Sequence, residues 1–243
     1  MRIFFLGQKP IGERAFEYLR TRCDVVGACS NTRVDHTWWK TSAITHDVFV
    51  PNETRNDDVL LDAIVSSGAD TLLSVQHPWI IPSYVLKTVN YNALNLHMAK
   101  LPRYRGHYCI NHALLRRDED YTTTIHWVAD SVDEGAIAFE ESVSISTDET
   151  ARSLYKKVER ASMDIFVHLV DRLVSGAPIP RIQQGTGGEF FDRRSLDSLK
   201  QIRDPDDVCL KARAFYFPPF EPAYFVINSK RYYVVPGERD DFI

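Results

Sequence analysis

Short apolar runs and helical periods take turns along the first part of the chain. Arg2 to Leu6 is an apolar run closed by Gly7, and Pro10 then opens a segment whose apolar positions, Ile11, Ala15, Tyr18 and Leu19, recur at helical spacing. A second run follows at Val25-Val26-Gly27-Ala28, then a polar stretch holding Trp38 and Trp39, then a third run at Asp47 to Val50. Val59 to Val65 has a helical pattern, and Thr71 to Val75 and Ala93 to Leu96 are further runs. Continuous apolar strands separated by helices predict a parallel sheet wrapped on both faces, an α/β Rossmann-like fold. In such sheets ligands bind beyond the carboxyl ends of the strands, which directs attention to the residues after Leu6, Val75 and Leu96.

The later pattern is different. Thr122 to Val128 and Ala136 to Ile145 read as two more strands, and Ser146-Thr147-Asp148-Glu149 has the form of a capping box. The helix behind it carries Ala151, Leu154, Val158, Ile165, Leu169 and Leu173 on one face and closes at Gly176. Pro178, Pro180, Gly185, Gly187 and Gly188 form a linker, which divides a domain of residues 1–185 from a small region of residues 186–243. That region predicts a helix at Asp206 to Arg213. A β-hairpin follows, Ala223 to Ile227 and Arg231 to Val235, around Asn228-Ser229-Lys230.

Composition narrows the function classes. The 243 residues are 44% hydrophobic and 26% charged, enough for a substantial core, with no run of transmembrane length and no signal-peptide pattern in MRIFFLG. A reducing cytoplasm is the expected setting. The net charge of −4 and the absence of a basic block argue against a nucleic-acid partner. Cys23, Cys29, Cys109 and Cys209 make no CxxC pair, so buried thiols are expected rather than zinc or redox chemistry. His107, His112 and His126 match no metal-ligand spacing, and no metal is expected.

The first strand-end loop, Gly7-Gln8-Lys9-Pro10-Ile11-Gly12, lacks both GxGxxG and GK[ST], which excludes dinucleotide and P-loop readings. Lys9 at a helix start can hold a phosphate, or the loop is only a tight turn. More chemistry lies between Leu94 and Ile137. Asn95 and His97 sit two apart on one strand, so they share a face, and a polar pair there needs partners. Asp133 lies in a turn before the next strand. An amide to donate to a developing oxyanion, an imidazole to relay a proton and a carboxylate to steady the imidazole suffice for acyl transfer. The plainer reading is a hydrogen-bonded core histidine and turn chemistry at Asp133-Glu134-Gly135.

Four motifs in order sharpen the choice: Asn95-Leu96-His97, Leu101-Pro102-Arg103-Tyr104-Arg105-Gly106, Thr124-Ile125-His126 and Asp133-Glu134-Gly135-Ala136-Ile137. Together they resemble the signature of the 10-formyltetrahydrofolate-dependent formyltransferases. The likeness runs over residues 1–176 in organisation and 94–137 in detail. It implies a formyl donor as co-substrate, direct transfer to an amine through a tetrahedral intermediate, and Asn95, His97 and Asp133 as the catalytic trio. It further implies that the loop from Ser74 to Pro82 holds the pterin. Gln76, His77, Trp79, Ile80 and Ile81 are its contacts on that side, and Val128, Ala129 and Asp130 on the other. Trp79 is an apolar wall or only packs the loop. Met98-Ala99-Lys100 and Thr122 depart from the family pattern near the trio without touching it.

Among such enzymes the tail, Ala212 to Phe220 followed by Lys230 to Val234, resembles that of the bacterial nucleotide-sugar N-formyltransferases. The implied acceptor is a nucleotide-linked amino-dideoxy sugar of the dTDP-4-amino-4,6-dideoxyglucose type, destined for surface polysaccharide. GDP- or UDP-linked amino sugars, methionyl-tRNA, or an inactive folate-binding module are the alternatives. Phe215, Tyr216 and Tyr224 are placed to stack on the base, and Gln8, Lys9, Arg103, Tyr104 and Arg105 to meet the rest of the substrate. The same aromatics can instead pack the hairpin or join two copies in a homodimer.

Overall fold

The computed structural model describes residues 1–30, 49–51, 55–204 and 207–237. Its central sheet has seven strands in the order β3-β2-β1-β4-β5-β7-β8. These are β1 (Arg2–Gly7), β2 (Asp24–Ser30), β3 (Phe49–Pro51), β4 (Thr71–Val75), β5 (Ala93–His97), β7 (Asp120–Trp127) and β8 (Ile137–Ser144). The pairs from β3 to β5 are parallel, and β7 runs antiparallel to β5. The α/β Rossmann-like architecture expected from the alternating pattern is the architecture found. The third strand begins at Phe49; Asp47 and Val48, with Trp38 and Trp39, lie outside the described residues.

Local signals explain the helices. Helix α1 (Lys9–Arg20) has Pro10 in its first turn and buries Ile11, Ala15 and Leu19. Helix α2 (Asp57–Ser67) is capped by the Asn56 side chain, which accepts from the Val59 amide at 3.1 Å, and carries Asp57 and Asp58 against the dipole. Gly68 ends it in the left-handed conformation, with φ 63°. Helix α3 (Ser83–Thr88) was not visible as a period, because six residues are too few to repeat one. Phe4, Leu6, Leu60, Ile64, Leu72, Ile81, Val85 and Leu86 form the core between β1, β4 and these helices. Each large aliphatic there contributes about 2 kcal/mol by leaving water.

The chain resolves into two units, each assembled from three segments. One comprises Met1–His97, Thr123–Glu141 and Ser162–Thr186; the other comprises Met98–Thr122, Ser142–Ala161 and Gly187–Ile243. The change near residue 186 is one of several crossings between them, because β7, β8 and α5 (Ala151–Ser175) each contribute to both. The second unit also holds β6 (Tyr104–Gly106) paired with β9 (Glu189–Phe191), α4 (Cys109–Leu115), α6 (Val208–Ala214) and the hairpin β10 (Ala223–Ile227) to β11 (Lys230–Val234). The hairpin turn is tighter than expected. Asn228 and Ser229 both have positive φ, 48° and 63°, and Lys230 already belongs to β11.

The cap of α5 also lies further on than Ser146 to Glu149. Thr150 and Ser153 exchange bonds: the Ser153 amide donates to Thr150 Oγ1 at 3.1 Å, and the Thr150 amide donates to Ser153 Oγ at 2.9 Å. The Glu149 carboxylate accepts from the Ser146 hydroxyl at 3.2 Å and from the Lys157 ammonium at 2.7 Å, not from a backbone amide at the helix start. No disulfide joins the cysteines; Cys29 and Cys109 are buried as expected, whereas Cys209 is exposed. Replacing Thr150 by Ala removes the reciprocal cap and should lower unfolding free energy by ~1 kcal/mol, read from the urea midpoint, while Ser146→Ala has the smaller effect.

Candidate active site

On β5 the side chains alternate as a half-covered strand must: Leu94 and Leu96 are buried, Asn95 and His97 half-buried. Register sets their neighbours. Asn95 lies opposite Ser74 on β4 and His126 on β7, and His97 lies opposite Thr124. His97 and His126 meet edge to face, with ring centroids 6.3 Å apart.

Asp133 comes to this pair from the turn after β7. Its φ of 56° is left-handed, a conformation that Asp tolerates better than most residues and that aims the carboxylate out of the turn. The turn is held from two sides. Gln184 Nε2 donates to the carbonyls of Asp133 and Gly135 at 2.9 and 2.7 Å, and a Cβ on Gly135 would collide with the Trp127 carbonyl oxygen. Asp133 Oδ2 then lies 3.7 Å from His97 Nδ1, and Oδ1 lies 3.5 Å from His126 Nε2. One carboxylate faces two imidazoles, with the Asn95 amide nitrogen 3.1 Å from His126 Nε2. The structure thus brings Asn95, His97 and Asp133 to one place. Gln184 had no signal in the sequence, sitting among linker prolines and glycines.

The next residues along β1 and β4, beyond the pair Gly7 and Val75, are Gln8 and Gln76. Lys9 and Gln76 both have positive φ, 64° and 60°, and Lys9 Nζ donates to Gln76 Oε1 at 2.8 Å. Two non-glycine residues held this way beside each other at strand ends are the kind of backbone strain found at binding sites. In the loop that follows, both ring nitrogens of His77 and Nε1 of Trp79 are buried with no hydrogen-bond partner among the described residues. Burial pushes the His77 imidazole down to about 4.

The structure places the other expected contacts as follows. Ile81 is a core residue, 8% exposed, because it packs with Val85 and Leu86; Ile80 is the exposed one. The Val128 amide is spent on the Ala93 carbonyl at 2.8 Å, which leaves it no bond for a ligand, and Asp130 accepts from the Tyr91 hydroxyl at 2.9 Å. Ala129 is half-buried beside them. In the second unit, Tyr104 is 1% exposed and gives its hydroxyl to Asp118, which also takes Arg103 at 2.6 Å. Phe215, expected to stack on a base, is 3% exposed and offers little ring face for it. Tyr224 is buried under Arg231, 4.5 Å from its ring. Arg105 and Tyr216 remain half-buried. His112, on α4, is buried against Phe191 with Nε2 3.0 Å from Ser195 Oγ, and burial lowers it to about 4. Among the described residues no group of His, Cys, Asp and Glu is arranged to hold a metal, and no helix is long and apolar enough to cross a membrane.

A mostly parallel sheet thus gathers an amide, two imidazoles and a carboxylate at one strand end, a set of groups suited to acyl transfer. Residues 21–170 match the formyl transferase family, and the chain belongs to it. A methionyl-tRNA formyltransferase of Ehrlichia canis is 25% identical over 92% of this chain and 67% of its own length. A GDP-perosamine N-formyltransferase of Brucella melitensis is 27% identical over 68% of this chain and 64% of its own. The chain thus spans about two thirds of these curated relatives. The fold matches a 4-N formyltransferase from Francisella tularensis with a TM-score of 0.81, at 17% identity, over 97% of this chain and 96% of that one.

Gly135→Ala should lower turnover by at least ~10-fold while the far-ultraviolet circular dichroism stays native, since a 1 Å displacement of the Asp133 turn is enough for that loss. Acid should weaken the fold through His77 and His112. Unfolded, each takes a proton near 6.5; folded, each resists until about 4. Their stabilising effect is complete above pH 6.5 and declines as pH falls toward 4, so urea midpoints should drop across that window. The slope should be shallower in His112→Gln.

Proposed function

We propose that this protein transfers the formyl group of 10-formyltetrahydrofolate to the amine of a nucleotide-linked amino-dideoxy sugar. The convergence of Asn95, His97 and Asp133 carries the reading. An amine attacking a formyl carbon moves negative charge onto the formyl oxygen and leaves the nitrogen with a proton too many. The Asn95 N–H answers the first need as an oxyanion donor. His97 answers the second by taking or relaying the proton, and Asp133, 3.7 Å from its Nδ1, steadies the charged ring. Bond formation to nitrogen and departure of the folate nitrogen then need no covalent enzyme intermediate.

The loop from Gln76 to Pro82 fits the donor. Among the described residues the ring nitrogens of His77 and Nε1 of Trp79 have no hydrogen-bond partner, a cost that a heterocycle rich in donors and acceptors would offset. Gln76, Trp79, Ile80, Ala129 and Asp130 are the remaining contacts we assign to that side, and Gln8 and Lys9 those for the sugar nucleotide. Several facts favour a sugar over tRNA: the net charge of −4, the match over nearly the whole length of a 4-N formyltransferase, and a likeness at TM-score 0.72 to an N-formyltransferase from Helicobacter canadensis complexed with folinic acid and dTDP-3-aminofucose. We assign a dTDP-4-amino-4,6-dideoxyhexose as the acceptor, with its product entering surface polysaccharide from the cytoplasm. Exposed Tyr232, Tyr233 and Ile227 on the hairpin make a homodimer our choice of assembly, to be read by light scattering.

The test is a panel of dTDP-, GDP- and UDP-linked amino sugars with methionyl-tRNA as a further arm, each incubated with formyl donor and followed by mass. Formylation of a dTDP-4-amino sugar fastest of all is expected; formylation of methionyl-tRNA alone would overturn the sugar reading. On the preferred acceptor, Asn95→Ala and His97→Ala should each lower kcat by ~100-fold or more with the fold intact. Asp133→Asn should be similarly impaired with donor binding little changed.

A further inference from the structure

We infer that His126 is a positioning residue that fixes which way the Asn95 amide faces, an inference that rests on the formyl-transfer reading for its consequence but not for its geometry. His126 is 2% exposed on β7. Its Nδ1 lies 2.9 Å from the Trp127 carbonyl oxygen, and a carbonyl only accepts, so Nδ1 carries the proton. In the neutral ring Nε2 then presents a lone pair. The atom facing it, 3.1 Å away, is Asn95 Nδ2, which has N–H to give.

The alternative has the amide reversed. Asn95 Oδ1 would face Nε2 only if that nitrogen also held a proton, and the ring would then be charged and drawn to Asp133. Asp133 Oδ1, at 3.5 Å, is beyond the range of a good N–H···O bond, whereas the Asn95 contact is within it. The geometry therefore selects the ring with Nδ1 as donor and Nε2 as acceptor, and the NH2 group of Asn95 turned toward His126. One N–H is held by His126 and the second remains for the formyl oxygen. A reversed amide would put an acceptor where the developing oxyanion needs a donor.

The carbonyl that sets this tautomer is itself fixed. The Trp127 amide donates to the Ala136 carbonyl at 2.8 Å, its indole Nε1 donates to the Pro180 carbonyl at 2.7 Å, and Arg181 stacks 3.4 Å above its ring. Gly135 lies against the same carbonyl, leaving no space for a side chain. A line of contacts thus runs from Gly135 through Trp127 and His126 to the amide of Asn95. His97 and Asp133 are the titratable groups that face the His126 ring from β5 and from the turn.

Nitrogen-15 resonances of the imidazole rings in the full-length protein test this directly, with His126 assigned by its loss in His126→Gln. The Nδ1–H tautomer with bare Nε2, the less common form of free histidine, is expected; an Nε2–H tautomer or a doubly protonated ring overturns the inference. Kinetically, His126→Leu should lower kcat by ~100-fold with KM for donor and acceptor nearly unchanged, the size of one lost oxyanion donor, while His126→Gln, which restores an acceptor toward Asn95, should recover most of it. Wild-type kcat in His126→Leu would overturn it; if that variant does not fold, the tautomer decides. Should the wild type formylate no amine yet show the Nδ1–H tautomer, the His126–Asn95 assignment stands and the proposed reaction falls.

Discussion

Everything at the candidate site depends on the antiparallel pairing of β5 with β7. That register sets Asn95 beside His126 and His97 beside Thr124, and it starts the turn that returns Asp133 to the same spot. A slip of one residue would send Asn95 and His97 to the opposite face and leave two leucines in their place. The surrounding structure resists such a slip. Leu94 and Leu96 are buried on the other side, and Thr123, which bonds Ser162 at 2.7 Å, ties β7 to the helix behind it. Packing energy on one face thus holds chemical geometry on the other.

The turn at Asp133 shows how a carboxylate is aimed. A flexible side chain at a strand end would sample many directions, whereas a left-handed backbone, two carbonyls held by Gln184 and a glycine pressed against Trp127 leave this one few. Similar restraint appears at Lys9 and Gln76, where an ordinary turn would have avoided positive φ. These three positions lie at the carboxyl ends of β1 and β4 and in the turn that faces the end of β5, where an α/β sheet binds its ligands.

Much of this was legible in the residues. Continuous apolar runs gave the parallel strands, and the two-residue spacing of Asn95 and His97 placed them on one face before any coordinates. What the sequence could not convey was where each ring and hydroxyl goes once the chain closes. Tyr104 and Phe215 stood as candidate ligand contacts; in the folded chain the Tyr104 hydroxyl goes to Asp118 and the Phe215 ring is buried. Ile80 and Ile81 are chemically alike, and only the packing on α3 tells which is buried. Gln184 is invisible to pattern reading, since its two bonds reach back fifty residues to backbone atoms. The capping box at Ser146 was a sound local signal that lost to Thr150 and Ser153, where the backbone turns into the helix.

The central claim is that the Asn95 N–H points at the oxygen of a formyl group held beside His97 and Asp133. The carbonyl stretch of a carbon-13-labelled formyl group on bound 5-formyltetrahydrofolate, which does not transfer, reports that bond directly in an isotope-edited infrared difference spectrum. The account predicts a band lowered on binding to the wild type and returned toward its solution frequency in Asn95→Ala. A formyl band at the same frequency in both proteins, with the folate bound in each, would contradict it.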